Sequence, residues 1–227
     1  MRNTQRPSKQ SDADGVLAPL MVREIFHSIQ GEGPFAGHPA TFFRLGYCNL
    51  QCTWCDTDYT NNLYPMNVED LLKQAHSHLI VITGGEPFIH QISPLVRALL
   101  RNGHRVQIET NGNLSQPGLP WEDPELVVVC SPKAGRLHPD IVNYCRHFKY
   151  VVSVDDKDSE DGLPVSCTQP KGSQPPANPP SHRTVYLMPR DDEDVIKNQA
   201  NMMTAAHLTI KFGYILTMQL HKILGVR

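Results

Sequence analysis

Short apolar runs recur along the chain between polar turns, at spacings that predict strands and helices in alternation. Residues 41–45 predict a first strand. Residues 68–75 carry helical spacing, with Asn67 placed to cap the start and Asp70 in the first turn. The run Leu79-Ile80-Val81-Ile82-Thr83 is continuous and β-branched, as expected of a strand buried on both faces. A helix over 93–103 would open on Ser93 as cap with Pro94 in its first turn and leave at Gly103. Residues 105–109, 126–130, 148–154 and 184–187 predict four more strands, six in all. Repeated strand–helix units with apolar strands predict an α/β fold on a parallel sheet, open or curled into a partial barrel.

Two segments stand apart from this alternation. Residues 1–20 lack periodicity and read as a disordered N-terminal extension, ahead of a single domain over 21–227. Residues 156–183 hold six prolines, including Pro175-Pro176 and Pro179-Pro180, and read as a mobile surface insertion between two strands. Near the chain end, Ile215, Leu216, Met218, Leu220, Ile223 and Leu224 supply enough apolar surface to pack a final strand or turn. Gln219 and His221 interrupt that stretch, as suits a segment reaching over a polar ligand.

Composition narrows the partners. With 227 residues, 40 % of them hydrophobic, the chain can bury one full core. No apolar run approaches the roughly 18 residues that span a bilayer. A net charge of −2, with both signs mixed along the chain, gives no electrostatic footprint for nucleic acid. No apolar signal core lies near the N-terminus, so a reducing, cytoplasmic setting and a small-molecule substrate are the expectation.

Candidate chemistry begins at Cys48, Cys52 and Cys55, spaced C-x3-C-x2-C on one short loop. Three close thiolates can hold three irons of a 4Fe–4S cube, leaving the fourth iron open to an outside ligand. Structural zinc wants four closed ligands, and Cys130, Cys145 and Cys167 are isolated. Histidines such as His76 or His78 could complete a zinc set, so spacing alone leaves both metals open. Three further polar runs follow predicted strands, where a parallel fold gathers its chemistry. They are Thr83-Gly84-Gly85-Glu86-Pro87, Glu109-Thr110-Asn111-Gly112 and Ser131-Pro132-Lys133. In the first, two glycines would let a ligand approach the backbone, and Glu86 would accept hydrogen bonds from an ammonium group.

The cysteine loop followed by a strand ending in Gly-Gly-Glu-Pro resembles the radical S-adenosylmethionine enzymes. Within them, Ile25-Phe26-His27-Ser28-Ile29-Gln30-Gly31-Glu32-Gly33, Phe43-Arg44-Leu45, Cys55-Asp56-Thr57-Asp58 and Gln219-Leu220-His221-Lys222, with the polar runs above, resemble the 7-carboxy-7-deazaguanine synthase family of the queuosine precursor pathway. The resemblance covers about residues 21–155 and 184–227. It implies a parallel sheet curled into a partial (β/α)6 barrel, and a lyase converting 6-carboxy-5,6,7,8-tetrahydropterin to 7-carboxy-7-deazaguanine with loss of ammonia.

Cofactors implied by the resemblance are a 4Fe–4S cluster on Cys48, Cys52 and Cys55, S-adenosylmethionine, and Mg²⁺ on the Thr57 hydroxyl. S-adenosylmethionine would meet Trp54, Cys55, Asp56, Gly85, Glu86, Ser131, Pro132 and Lys133. The pterin would meet Ile29, Gln30, Gly31, Glu32, Thr83, His221 and the chain end at Arg227, with Arg44 pairing its carboxylate. Glu32, Arg44 and Thr57 carry the catalytic roles in this picture. A homodimer and an electron donor such as flavodoxin are the implied partners. Met188 stands where the family more often has Gln, and the 156–183 insertion is longer than the family pattern. A glycyl-radical activase would share the cysteine loop and Gly-Gly-Glu-Pro without needing Gln30 to Gly33, and a zinc-stabilised binding module would share the cysteines alone.

Overall fold

The computed structural model describes residues 3, 5–8, 18–172 and 174–226. Among these, one sheet runs β3-β1-β2-β4-β5-β6-β7-β8-β9. The strands are β1 (Leu20–Ile29), β2 (Pro39–Leu45), β3 (Tyr64–Met66), β4 (Leu79–Gly84), β5 (Arg105–Thr110), β6 (Leu126–Cys130), β7 (His147–Val152), β8 (Thr184–Pro189) and β9 (Ile215–Leu216). The helices are α1 (Val68–Lys73), α2 (Ser93–Arg101), α3 (Pro139–Tyr144), α4 (Val195–Phe212) and α5 (Leu220–Leu224). From β2 to β9 every neighbouring pair is parallel, whereas β1 pairs antiparallel with both β2 and β3. The first and last strands of that order do not meet, so the barrel stays open. The six strands read from the sequence are its parallel body.

Side chains alternate across this sheet and divide it into two faces. Ile80, Ile82, Val106 and Ile108 join Leu95 and Leu99 of α2 in the main core. Each is fully buried, and each such aliphatic side chain contributes about 1.5–3 kcal/mol. The opposite face carries Phe42 and Arg44 on β2, Thr83 on β4, Glu109 on β5, and Lys149 and Val151 on β7, all lining a common cavity. One strand register therefore puts aliphatic groups against the helices and the chemistry inside the curl.

Local chemistry sets the helix ends. Asn67 accepts from the Asp70 N–H at 2.8 Å, as its position predicted. Ser93 corrects the expectation of a cap: it is the first helical residue, and its hydroxyl donates to the Pro117 carbonyl at 2.7 Å. Pairing with β7 extends β8 two residues beyond the predicted run, to Pro189. Two long elements escaped the pattern. A register shift between Val22 and Glu24 breaks the period of two in β1. In α4 the exposed Ile196, Met203 and Ile210, with the buried Asn201, blur the apolar stripe. Asn201 earns its burial by donating to the Arg190 carbonyl (2.8 Å) and accepting from the Val154 N–H (2.9 Å).

Candidate active site

β2 ends at Leu45, and the chain turns through Gly46 and Tyr47, the latter at φ 64°, into the cysteine loop. The exit of β4 presses against this turn. A Cβ on Gly84, whose φ is +124°, would stand 2.1 Å from the Leu45 carbonyl oxygen, and one on Gly85 would stand 1.8 Å from that of Tyr47. Instead the Gly85 N–H donates to Leu45 O at 3.1 Å and the Glu86 N–H to Tyr47 O at 2.8 Å. Both glycines thus serve a close approach of the chain to itself, and both also line the cavity where a ligand approach was expected.

Glu86 also departs from its expected place. Its carboxylate, fully buried, accepts from the Thr110 hydroxyl (2.7 Å), the Asn111 N–H (2.7 Å) and the Phe88 N–H (3.0 Å). Burial pushes the carboxyl up to about 7 against those hydrogen bonds. It ties the exit of β4 to that of β5 and does not line the cavity; Pro132, also buried, does not either.

The cavity, about 260 Å³, brings together Cys48, Cys52 and Cys55 with Trp54, Asp56, Thr57, Gly85, Ser131 and Lys133. Burial pushes the Cys48 and Cys55 thiols upward, so each holds its proton until a metal displaces it. Cys145 instead bonds the Val128 carbonyl at 3.2 Å, and Cys167 the Gln169 carbonyl at 3.6 Å. Among the described residues no three His, Cys, Asp or Glu side chains are grouped around a single ion position. Three thiols spread round one cavity, with no fourth thiol beside them, suit a cube whose irons each take one cysteine.

Two loops meet the cysteine loop from opposite sides. Lys133 Nζ lies 4.9 Å from the Trp54 ring centroid and donates to the Ser131 hydroxyl at 2.7 Å. Burial lowers that ammonium to about 8. From the N-terminal segment, Asn3 donates to the Cys52 carbonyl (3.1 Å) and Gln5 to the Thr57 carbonyl (2.8 Å).

Ile29, Gln30, Glu32, Arg44, Thr83 and His221 line the same cavity. Arg44 is held by Glu24 at 2.9 Å, lies over the Phe26 ring at 5.5 Å, and reaches the Thr57 hydroxyl at 3.5 Å. Gly31 backs onto the tail and does not line the cavity: a Cβ there would meet His221 Nδ1 at 2.6 Å. Arg227 lies outside the described residues.

Sequence reasoning missed Lys149 and gave Glu109 no role of its own. Lys149 pairs with Glu32 and faces Glu109, and all three line the cavity. Burial opposes the Lys149 charge, but the two carboxylates outweigh it and raise the ammonium. Burial likewise opposes charge on Glu109, yet Lys149 and hydrogen bonds from Gln30 (3.1 Å), Thr83 (3.0 Å) and Gln107 (3.1 Å) hold it below the usual carboxylate range. The signal was present: a lysine inside the apolar run Phe148-Lys149-Tyr150-Val151-Val152 requires a buried partner.

Residues 44–127 match the radical SAM superfamily. The chain is 40 % identical to the 7-carboxy-7-deazaguanine synthase of Rhodospirillum rubrum, over 99 % of this chain and 98 % of that protein. The chain belongs to the 7-carboxy-7-deazaguanine synthase family. The Rickettsia prowazekii enzyme of the same name is 32 % identical over 96 % of this chain and 93 % of its own. In three dimensions the fold is that of QueE from Escherichia coli, with a TM-score of 0.64 at 23 % identity, covering 88 % of this chain and 93 % of that one. Family membership sets aside the glycyl-radical activase and the zinc-held module. Among the described residues no helix is long and apolar enough to cross a membrane.

Proposed function

We propose that this chain forms 7-carboxy-7-deazaguanine from 6-carboxy-5,6,7,8-tetrahydropterin with loss of ammonia. The observation that carries the reading is a single cavity lined by two chemically distinct sets of side chains: three thiols, and Arg44 with a buried Glu32–Lys149–Glu109 chain. A 4Fe–4S cluster on Cys48, Cys52 and Cys55, with S-adenosylmethionine beside Trp54, Asp56, Ser131 and Lys133, would supply the electron and the radical chemistry.

The chain's own residues would bind and orient the pterin. Arg44 presents a planar fork that pairs a carboxylate with two hydrogen bonds. Glu109 already accepts from three chain donors, and an ionised carboxylate has about four acceptor sites. One acceptor site remains on a residue that lines the cavity, which suits the N–H edge of a pterin ring. Thr57 offers a hard hydroxyl oxygen of the kind Mg²⁺ takes. His221, lowered by burial, stays neutral at physiological pH and can accept a hydrogen bond over the ring.

Arg227 at the chain end, a flavodoxin-like electron donor, a homodimer and a cytoplasmic setting belong to the same proposal. Exposed Ile196, Met203 and Ile210, seven residues apart on α4, offer apolar surface that a second copy would cover. The test is anaerobic reconstitution with iron and sulfide, then incubation with 6-carboxytetrahydropterin, S-adenosylmethionine and reductant, reading product by mass. A fully loaded protein that cleaves S-adenosylmethionine and yields no deazapurine would sink the substrate assignment.

A further inference from the structure

The proline-rich insertion is a sequence feature that the proposed reaction leaves without a role. It is docked on the cysteine loop. Gln169 Oε1 accepts from the Gln51 N–H at 2.8 Å, its Nε2 lies 3.2 Å from the Cys52 sulfur, and the Thr168 carbonyl accepts from the Thr53 N–H at 2.9 Å. Two insertion residues therefore bond three consecutive loop residues. Thr168, only 5 % exposed, also donates its hydroxyl to the Lys133 carbonyl at 2.6 Å, joining the second cofactor-side loop. Further along, the Ala177 N–H donates to the Ala134 carbonyl at 2.8 Å.

Donor accounting assigns the sulfur contact. The amide orientation of Gln169 is set by Gln51, whose backbone N–H requires the oxygen. Nε2 then has two hydrogens: one meets the Thr168 hydroxyl at 2.7 Å and the other points to Cys52 Sγ. Thr168 Oγ1 is 3.5 Å from the same sulfur, but its one hydrogen is spent on Lys133 O. Gln169 is thus the side-chain N–H donor to Cys52, and it comes from the insertion.

We propose that the insertion is a strap whose Gln169 tunes the cluster through the Cys52 sulfur and whose Thr168–Gln169 pair positions the cysteine loop against Lys133. This rests on the cluster reading above. An N–H donated to a ligating sulfur favours the more negative, reduced cluster and so raises its potential. Gln169 is a positioning and tuning residue, not one that touches substrate.

The experiment is an anaerobic redox titration of the reconstituted full chain and of Gln169→Leu and Gln169→Glu, read by absorbance and by the resonance of the reduced cluster. Gln169→Leu removes all three side-chain contacts, whereas Gln169→Glu keeps an acceptor for the Gln51 N–H and loses the donor to the sulfur and to the Thr168 hydroxyl. At a fixed poise the reduced-to-oxidised ratio should fall about three- to tenfold in each variant, about 30–60 mV at 59 mV per tenfold for one electron. Release of iron to a chelator should quicken in Gln169→Leu and much less in Gln169→Glu. An unchanged ratio in whichever variant carries a full cluster overturns the proposal. Iron and sulfide analysis of the unaltered chain tests the cluster separately: a chain that binds none overturns both readings, whereas a loaded chain indifferent to Gln169 overturns this one alone.

Discussion

Replacing Lys149 by Met should unsettle the cavity lining in a way that reports its charge state. The Lys149 and Glu32 side chains are 9 % and 12 % exposed, so solvent screens the pair little. Removing one partner of a buried pair typically costs about 3–5 kcal/mol, because the other is left desolvated and unpaired. In a chain of this size each kcal/mol lowers the melting temperature by about 2–4 °C, which predicts a fall of roughly 6–20 °C. The loss should shrink as pH falls from 8 to 5. In the intact protein Glu109 is depressed, so its contribution is present above its unfolded value and is lost as pH drops through the folded one. Losing Lys149 removes the largest influence that lowers that carboxyl, so it rises from its depressed value and takes up its proton at higher pH than in the intact protein, which shrinks the penalty in acid. Lys149 itself is raised, so its contribution holds throughout this range and is lost only as pH climbs through its folded value. Urea melts of the cluster-free protein at pH 8 and pH 5 measure both effects. A loss below about 1 kcal/mol, or an equal loss at both pH values, would refute the account.

Gly85→Ala sets a Cβ 1.8 Å from the Tyr47 carbonyl oxygen, a backbone clash that no rotamer relieves. It should cost about 4 kcal/mol or more and displace the cysteine loop, seen as lost soluble yield and lost iron. Arg44→Ala should weaken carboxypterin binding by about 2–5 kcal/mol, a factor of about 30 or more by calorimetry, while S-adenosylmethionine still binds; normal pterin affinity would remove Arg44 from the site. Deleting residues 219–227 should leave iron content intact and lower pterin affinity at least tenfold on the grounds that Gln219 and His221 roof the cavity; undiminished binding would give the tail no part in it.

What could be read from the sequence followed the strength of local signals. Among the six parallel strands, β4 and β6 were the most legible, because their apolar runs are nearly continuous and mostly buried. β1 was not, because a bulge and one polar-facing side erase a simple alternation. The thiol set of the site was legible because three cysteines at fixed spacing have few other uses. Glu109 and Lys149 were harder, since they come from strands 40 residues apart and only the β5–β6–β7 register makes them neighbours. The role of Gly84 and Gly85 was half legible for a related reason: the sequence marks where a Cβ is not tolerated, and only the packed chain shows that Leu45 and Tyr47 stand there. Composition also read residues 156–183 as a mobile surface insertion, a reading that cannot see Gln169 on the cysteine loop.

Lys222 bridges Asp56 and Asp191 at 3.2 and 3.0 Å, and these three side chains are 37–63 % exposed. Pairs in such surroundings contribute about 0–1 kcal/mol apiece, so the ionic share of the tail's hold is at most about 2 kcal/mol. At 1.4 kcal/mol per tenfold, that clasp alone would stand undone at least about 3 % of the time. The reaction chamber therefore has a stiff base and a loosely latched door. Ionic strength acts on the door alone, because a screening length of about 8 Å at physiological salt reaches Lys222 and leaves the buried Lys149 chain untouched. Traffic of pterin and product should then quicken with added salt even where the chemistry beneath does not change.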